Sequence, residues 1–212
     1  MKAATFIPKR GRPSNKQVIA IDNAILATAR RILLEEGFDA LAMDTVASEL
    51  GISKGTPYVR HPSKEALAQA VIRDAVEGWS TTSAREDHLL PVEIGPRLQQ
   101  HLRKIGRKSA DPEVHAYYRL WMSIQQRDPE LTQIFHDVGF IRGATVIARD
   151  IEIAGDRDGI PPKDAMGTAS LMLSALTGWY TLESAVRTIS LSEIDATADR
   201  IAAILMQARE AW

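Results

Sequence analysis

Between Lys54 and Lys64 the chain gathers side chains suited to holding a polyanion rather than to making or breaking bonds. Lys54-Gly55-Thr56 supplies a cation, a position without a side chain and a hydroxyl, and Tyr58, Arg60 and Lys64 follow within ten residues. Small residues let a backbone approach a duplex closely, while hydroxyls and cations meet phosphate oxygens. Chemistry of other kinds finds no comparable cluster. The five histidines (His61, His88, His101, His115, His136) include no His-x-x-x-His or His-Glu-x-x-His pair, so no metal site is expected. Ser53-Lys54-Gly55 lacks the glycine spacing and the following Ser or Thr of a phosphate loop, and no serine sits in a Gly-x-Ser-x-Gly turn. Glu35/Glu36 and Asp156/Asp158 fall at helix ends or in a loop, where carboxylates are ordinarily solvated. No catalytic residue and no cofactor is predicted.

The elements that must position the basic cluster read as two short helices around a tight turn. Over Asp44–Leu50, Val46, Ala47 and Leu50 share one face. Gly51 stands where a chain leaving a helix needs the left-handed conformation that glycine takes cheaply. Ile52 anchors the turn, and Ser53 is placed to cap a second helix running to about His61. A short glycine-containing turn between such helices is the sequence form of a helix-turn-helix, although an ordinary helical corner has the same pattern. Residues 15–37 make a long helix with Ile21, Ile25, Ala29, Ile32 and Leu33 at helical spacing, a buttress for the pair.

The ordered run Gly11-Arg12-Pro13, Glu36-Gly37-Phe38, Met43-Asp44-Thr45-Val46-Ala47, Gly51-Ile52-Ser53-Lys54-Gly55-Thr56-Pro57-Tyr58 and Ser63-Lys64-Glu65-Ala66-Leu67 resembles the N-terminal domain of TetR-family transcriptional regulators, over residues 11–70, about a third of the chain. The resemblance implies that Thr56, Tyr58, Arg60 and Lys64 hold phosphates and that Lys54, Gly55 and Pro57 face base edges. It also implies a homodimer formed through the last two helices, with two recognition helices reading an inverted repeat in double-stranded DNA. Three positions depart from the family pattern. His61 stands where an aromatic is usual, Ala42 replaces a capping Ser or Thr, and Pro57 replaces leucine. The loss of a hydroxyl at Ala42 removes one expected phosphate contact.

Charge is distributed accordingly. Residues 1–75 carry 11 Lys and Arg against 8 Asp and Glu, the remainder 15 against 19. Residues 1–16 hold Lys2, Lys9, Arg10, Arg12 and Lys16 and no acid. Residues 1–14 therefore read as a flexible basic arm, with Arg10 and Arg12 entering a minor groove, or as a solvated tail. With 45% apolar residues, no cysteine, no long apolar run and no secretion-signal core, a cytoplasmic protein with no membrane contact is expected.

From Ser63, a clear N-cap, the periodicity gives a helix to about Thr81 and a polar connector over 80–91. Helices follow near 92–109, 112–127, 129–155, 162–189 and 191–211, two of them opened by Asp111-Pro112-Glu113 and Asp128-Pro129-Glu130. Residues 155–162 read as a loop. The expected architecture is all-α, about nine helices, with a helix-turn-helix domain over 15–62 and a ligand-binding and dimerisation domain over 63–212. A pocket for a small-molecule effector is expected from Tyr118, Trp121, Met122, Gln125, His136, Phe140 and Trp179, amphipathic side chains on inward faces; such a stripe also serves as plain core. The function implied is a sequence-specific DNA-binding regulator, a repressor released by a small molecule. The competing reading is an all-helical ligand-binding or interaction protein that does not engage DNA.

Overall fold

The computed structural model describes residues 14–85 and 90–212, and among them every regular element is helical. In chain order the α-helices are α1 (Asn15–Glu35), α2 (Met43–Leu50), α3 (Gly55–Arg60), α4 (Lys64–Arg85), α5 (Ile94–Ser109), α6 (Pro112–Ile124), α7 (Pro129–Phe135), α8 (Arg142–Asp158), α9 (Ala165–Ser184) and α10 (Leu191–Gln207). A π-helical segment, His136–Ile141, joins α7 to α8, so the long helix expected over 129–155 exists but is rewound in its middle. The basic arm with Arg10 and Arg12 lies outside the described residues; of the connector expected over 80–91, residues 80–85 instead continue α4 as helix, and 86–89 lie outside the described residues. None of the described helices is long and apolar enough to cross a membrane.

The helix boundaries follow from local chemistry. Ser14 accepts from the Gln17 amide while Gln17 reaches back to the Ser14 amide, a reciprocal cap that starts α1. The Ser63 hydroxyl accepts from Ala66 N–H at 3.2 Å, and Asp128 accepts from Leu131 N–H at 2.9 Å. Ser190 and Glu193 form a second reciprocal cap on α10, which helps hold the Glu193 carboxyl down to about 2. One expectation fails at residues 155–158, which are helical rather than loop. Gly155 lies inside α8, where a Cβ would come within 2.6 Å of Pro162 Cδ, and Gly159, at φ +71°, ends the helix instead.

The chain divides into two compact units, the first reaching to Trp79 and including Ala116–Phe135, the second made of Ser80–His115 and His136–Trp212. In the first, α1 buries Ile25, Ala29, Ile32 and Leu33, α2 buries Met43, Val46 and Ala47, and α4 buries Leu67, Ala68, Val71 and Ile72. Each fully buried aliphatic side chain contributes about 1.5–3 kcal/mol relative to exposure. Ion pairs then fix the helices against one another: Arg30 with Asp74 ties α1 to α4, and Arg31 with Glu49, at 2.7 Å, ties α1 to α2. Arg127, after α6, forks onto Asp39 with N–O distances of 2.8 and 3.0 Å.

In the second unit one apolar core joins α5, α8, α9 and α10 through Leu98, Leu102, Ile147, Ile151, Met172 and Leu176 among others. Helices α5 and α10 approach so closely at Gly106 that a Cβ would stand 2.6 Å from Ile194 Cγ2. Arg103 to Asp199 and Arg107 to Asp195, one turn apart, lace the same two helices together, the Nε donors at 2.7 and 2.8 Å. Beside this core lies a buried carboxylate. Asp150 accepts from Arg97 Nε at 2.6 Å and pairs with His101 Nε2 at 2.6 Å.

Candidate nucleic-acid interface

The corner between α2 and α3 is set by one backbone conformation. Gly51 sits at φ +63°, and its N–H turns back to the carbonyls of Ala47 and Ser48. Ile52 N–H then bonds Ala47 C=O at 3.1 Å, which closes the end of α2. The Ser53 hydroxyl does not cap α3 as expected; only its carbonyl accepts from Thr56 N–H, at 2.9 Å. Lys54 occupies the cap position, and the Ser53 and Thr56 hydroxyls bond each other at 2.7 Å, which orients Thr56 at the entry to the helix.

Helix α3 has two sharply different sides. Pro57 is buried, so it cannot face base edges as the resemblance implied; it is the residue that seats α3 on the helices beneath. On the other side Val59 is 85% exposed and Tyr58 50% exposed, with Gly55 open beside them. Val59 was not anticipated. Its signal was available, since a residue two positions from a buried one on a helix turns about 200° away. Lys54 lies at the same edge, 76% exposed at its side chain, with Nζ 2.7 Å from Asp44 Oδ2. The hydrogen bond and charge of Asp44 raise the Lys54 pKa, so the ammonium stays protonated.

Of the cations assigned to phosphates, Arg60 is held inward and Lys64 is half-buried at the start of α4. Arg60 pairs through Nε with Asp22 of α1, its side chain only 19% exposed, and a second guanidinium nitrogen donates to Thr56 C=O at 3.3 Å. In this arrangement Arg60 braces α3 against α1 and offers little to a phosphate. Lys64 places Nζ 4.4 Å from the centre of the Phe38 ring, a cation–π contact that fixes the ammonium at the start of α4. His61, just past α3, is half-buried, and burial pushes its pKa down against the opposing pull of Asp22.

The expected pocket residues fall in different surroundings. In the first unit Tyr118 and Trp121 meet edge-on with ring centres 5.3 Å apart, and the Trp121 indole N–H is buried with no protein acceptor. Met122 and Gln125 are exposed rather than inward, because Tyr117, Leu120 and Ile124 take the buried side of α6. In the second unit His136 stacks on Phe140 at 5.6 Å within the π-helical segment but is exposed rather than inward, and Trp179 packs against the apolar core. No group of His, Asp or Glu among the described residues is arranged to hold a metal ion.

Residues 25–71 match the family described as "Bacterial regulatory proteins, tetR family", and residues 96–208, more than half the chain, match "AefR-like transcriptional repressor, C-terminal domain". The chain belongs to the TetR family of transcriptional regulators. An uncharacterised helix-turn-helix regulator of Bacillus subtilis is 41% identical over 59 residues, 28% of either chain. The chain thus spans less than a third of that curated relative in the matched segment. Among solved structures, a protein from Mesorhizobium loti assigned to the TetR family superposes with a TM-score of 0.76 at 22% identity, over 91% of this chain and 98% of that one. The flavonoid-responsive regulator FrrA superposes with a TM-score of 0.69 at 25% identity, over 89% and 96%. Sequence likeness to the curated relative is confined to a short segment, while the fold likeness covers nearly the whole chain.

Proposed function

We propose that this TetR-family regulator is a homodimeric repressor that reads an inverted-repeat operator with two copies of the α2–α3 corner and lets go when a small molecule binds among its later helices. The observation that carries the reading is the outer side of α3. Gly55, Tyr58 and Val59 stand open next to Lys54, with Pro57 buried behind them. A helix presenting small, apolar and hydroxyl-bearing side chains outward suits contact with base edges and sugar-phosphate rather than with a protein core. Lys54, Gly55 and Val59 are assigned to bases and Thr56, Tyr58 and Lys64 to phosphates, while Arg60 acts by bracing α3. Arg10 and Arg12 complete the interface as a minor-groove arm.

Dimerisation through α9 and α10 is supported by their uncovered apolar sides. Leu171, Leu182 and Val186 on or just beyond α9 are 59%, 74% and 82% exposed, and Ile204 on α10 is 58% exposed. Gly178, between them on α9, has open space where a Cβ would project. A second copy of the chain packed on this face would bury the stripe and set the two corners apart by a fixed distance, which an inverted repeat requires. The effector reading draws on the flavonoid response named for FrrA and on the buried, unpaired indole N–H of Trp121, next to Tyr118.

Selection of binding sites from random duplexes tests the whole reading. The expected product is a two-fold symmetric site whose half-sites lie about one helical turn, or a multiple of it, apart. Leu182→Asp, which places a charge in the proposed dimer seam, is expected to give a monomer by sedimentation and to reduce operator affinity at least ten-fold. A variant that stays dimeric, or a monomer that binds the operator as tightly, rejects the assigned seam.

A further inference from the structure

The ion pair between Asp44 and Lys54 is out of place on a surface meant only to attract phosphates. Asp44 lies in the first turn of α2 and Lys54 at the entry to α3, and both side chains are more than half exposed, at 54% and 76%. A carboxylate there cancels the lysine charge and repels the backbone of a duplex. It does not cap α2 either, since the cap position of α2 is Ala42 and no side-chain cap bond is made there. What the pair does present is a donor beside an acceptor at a fixed spacing, Lys54 Nζ and Asp44 Oδ2 being 2.7 Å apart.

That pattern has a counterpart in the major groove. A G·C pair shows guanine N7 and O6 as acceptors, with the cytosine N4 amino group next to O6 at about 3 Å, the length of the hydrogen bond that joins them. The ammonium has three N–H donors, and with one held by Asp44 two remain for O6 and N7. The carboxylate can accept from N4. An A·T pair also shows two acceptors, adenine N7 and thymine O4, but they flank the N6 amino group, so the ammonium reaches only one of them and fewer of these groups are satisfied. Resting on the reading that α3 enters the major groove, we propose that Asp44 and Lys54 act as one composite reader of a single G·C pair in each half-site. Lys54 bonds guanine, and Asp44 accepts from cytosine N4. Asp44 is then a specificity residue that lowers affinity for DNA in general while raising discrimination at one position.

Site selection with the wild-type chain first establishes whether a duplex is chosen at all; failure there removes the functional reading and this inference together. If a site is chosen, a G·C pair is expected at one position per half-site that becomes indifferent to base in Asp44→Ala, with discrimination falling about ten-fold. Binding of the variant to random duplex is expected to be equal or tighter and to fall more steeply with salt, because Lys54 is no longer neutralised. A second measurement needs no variant. Replacing the cytosine at that position by a base analogue without the 4-amino group should weaken wild-type binding several-fold and leave Asp44→Ala unaffected. An unchanged base preference in Asp44→Ala, a position that proves to be A·T, or equal loss by both proteins on the analogue would overturn the proposal.

Discussion

The recognition corner and the α5–α10 bundle both hold helices at fixed positions, with different materials. In the corner the geometry comes from backbone conformation and small residues: Gly51 in the left-handed region and Pro57 beneath α3. Its charged groups lie near the surface, and two of them, Asp44 and Lys54, are only ten residues apart in sequence. In the bundle the geometry comes from a broad apolar core and from polar pairs distant in sequence. Arg103 and Asp199 are 96 residues apart, and His101 and Asp150 are 49 apart. A corner built locally can keep its outer face free for a ligand as large as a duplex. A bundle built from distant contacts is held together by many partners at once, so loss of one buried member leaves the others exposed to an apolar interior.

That difference predicts the largest effect in the molecule at Asp150, which is 9% exposed. Burial alone would raise its pKa, but the bonds from His101 and Arg97 outweigh burial and hold it below the usual carboxylate value of 3.8. Asp150→Ala leaves Arg97 and His101 without their anion, and is expected to destabilise the protein by about 3 kcal/mol in urea unfolding. Asp195→Ala, which removes an ion pair on the more exposed side of α5, should leave the midpoint nearly unchanged. Equal effects of the two variants would mean that burial does not separate the two kinds of pair. The sign with pH follows from the lowered value: the Asp150 contribution is complete above pH 3.8 and is lost as the pH falls through the lower folded value.

In the corner the comparable test acts on the backbone. Gly51→Ala meets no neighbouring atom within 4 Å, so its cost is conformational, about 1 kcal/mol for a residue forced to φ near +63°. DNA affinity is expected to fall with it, because α3 is aimed by that turn; a variant of unchanged stability and affinity would show that the turn tolerates another conformation. The same contrast explains which features could be read from the chain. Gly51, the Ser63 cap and the Asp-Pro-Glu helix starts announce themselves within a few residues, and each stands where it was expected. The sides of α3 could not be read so simply, because six residues make less than two turns and an error of one residue moves a side chain by about 100°. The family pattern puts Pro57 outward and does not single out Val59. Arg60 looked free because the acid that holds it, Asp22, lies 38 residues earlier. The loop expected from Gly155 to Asp158 failed for a similar reason, since Gly155 serves the close approach of Pro162, distant in the helix register, and the helix ends only at Gly159.

The smallest effect is expected at His61, where the chain departs from the aromatic usual in the family, and it separates the two regions by their response to acid. Burial depresses the His61 pKa below 6.5, with Arg60 adding to the shift and Asp22 opposing it. The folded corner therefore prefers the neutral ring. Its stabilisation is complete above the unfolded value of 6.5 and declines as the pH falls from there to the lower folded value. This window lies above the one in which Asp150 is titrated, so mild acid should loosen the seat of α3 before it disturbs the bundle. His61→Phe removes the titrating group and adds apolar contact, and is expected to stabilise the protein by about 0.5–1 kcal/mol. The gain should be larger at pH 5 than at pH 7.5, measured by urea unfolding followed through the first unit. An identical dependence on pH in wild type and His61→Phe would assign the acid response of the corner to another group, and with it the idea that the two regions yield to acid in sequence.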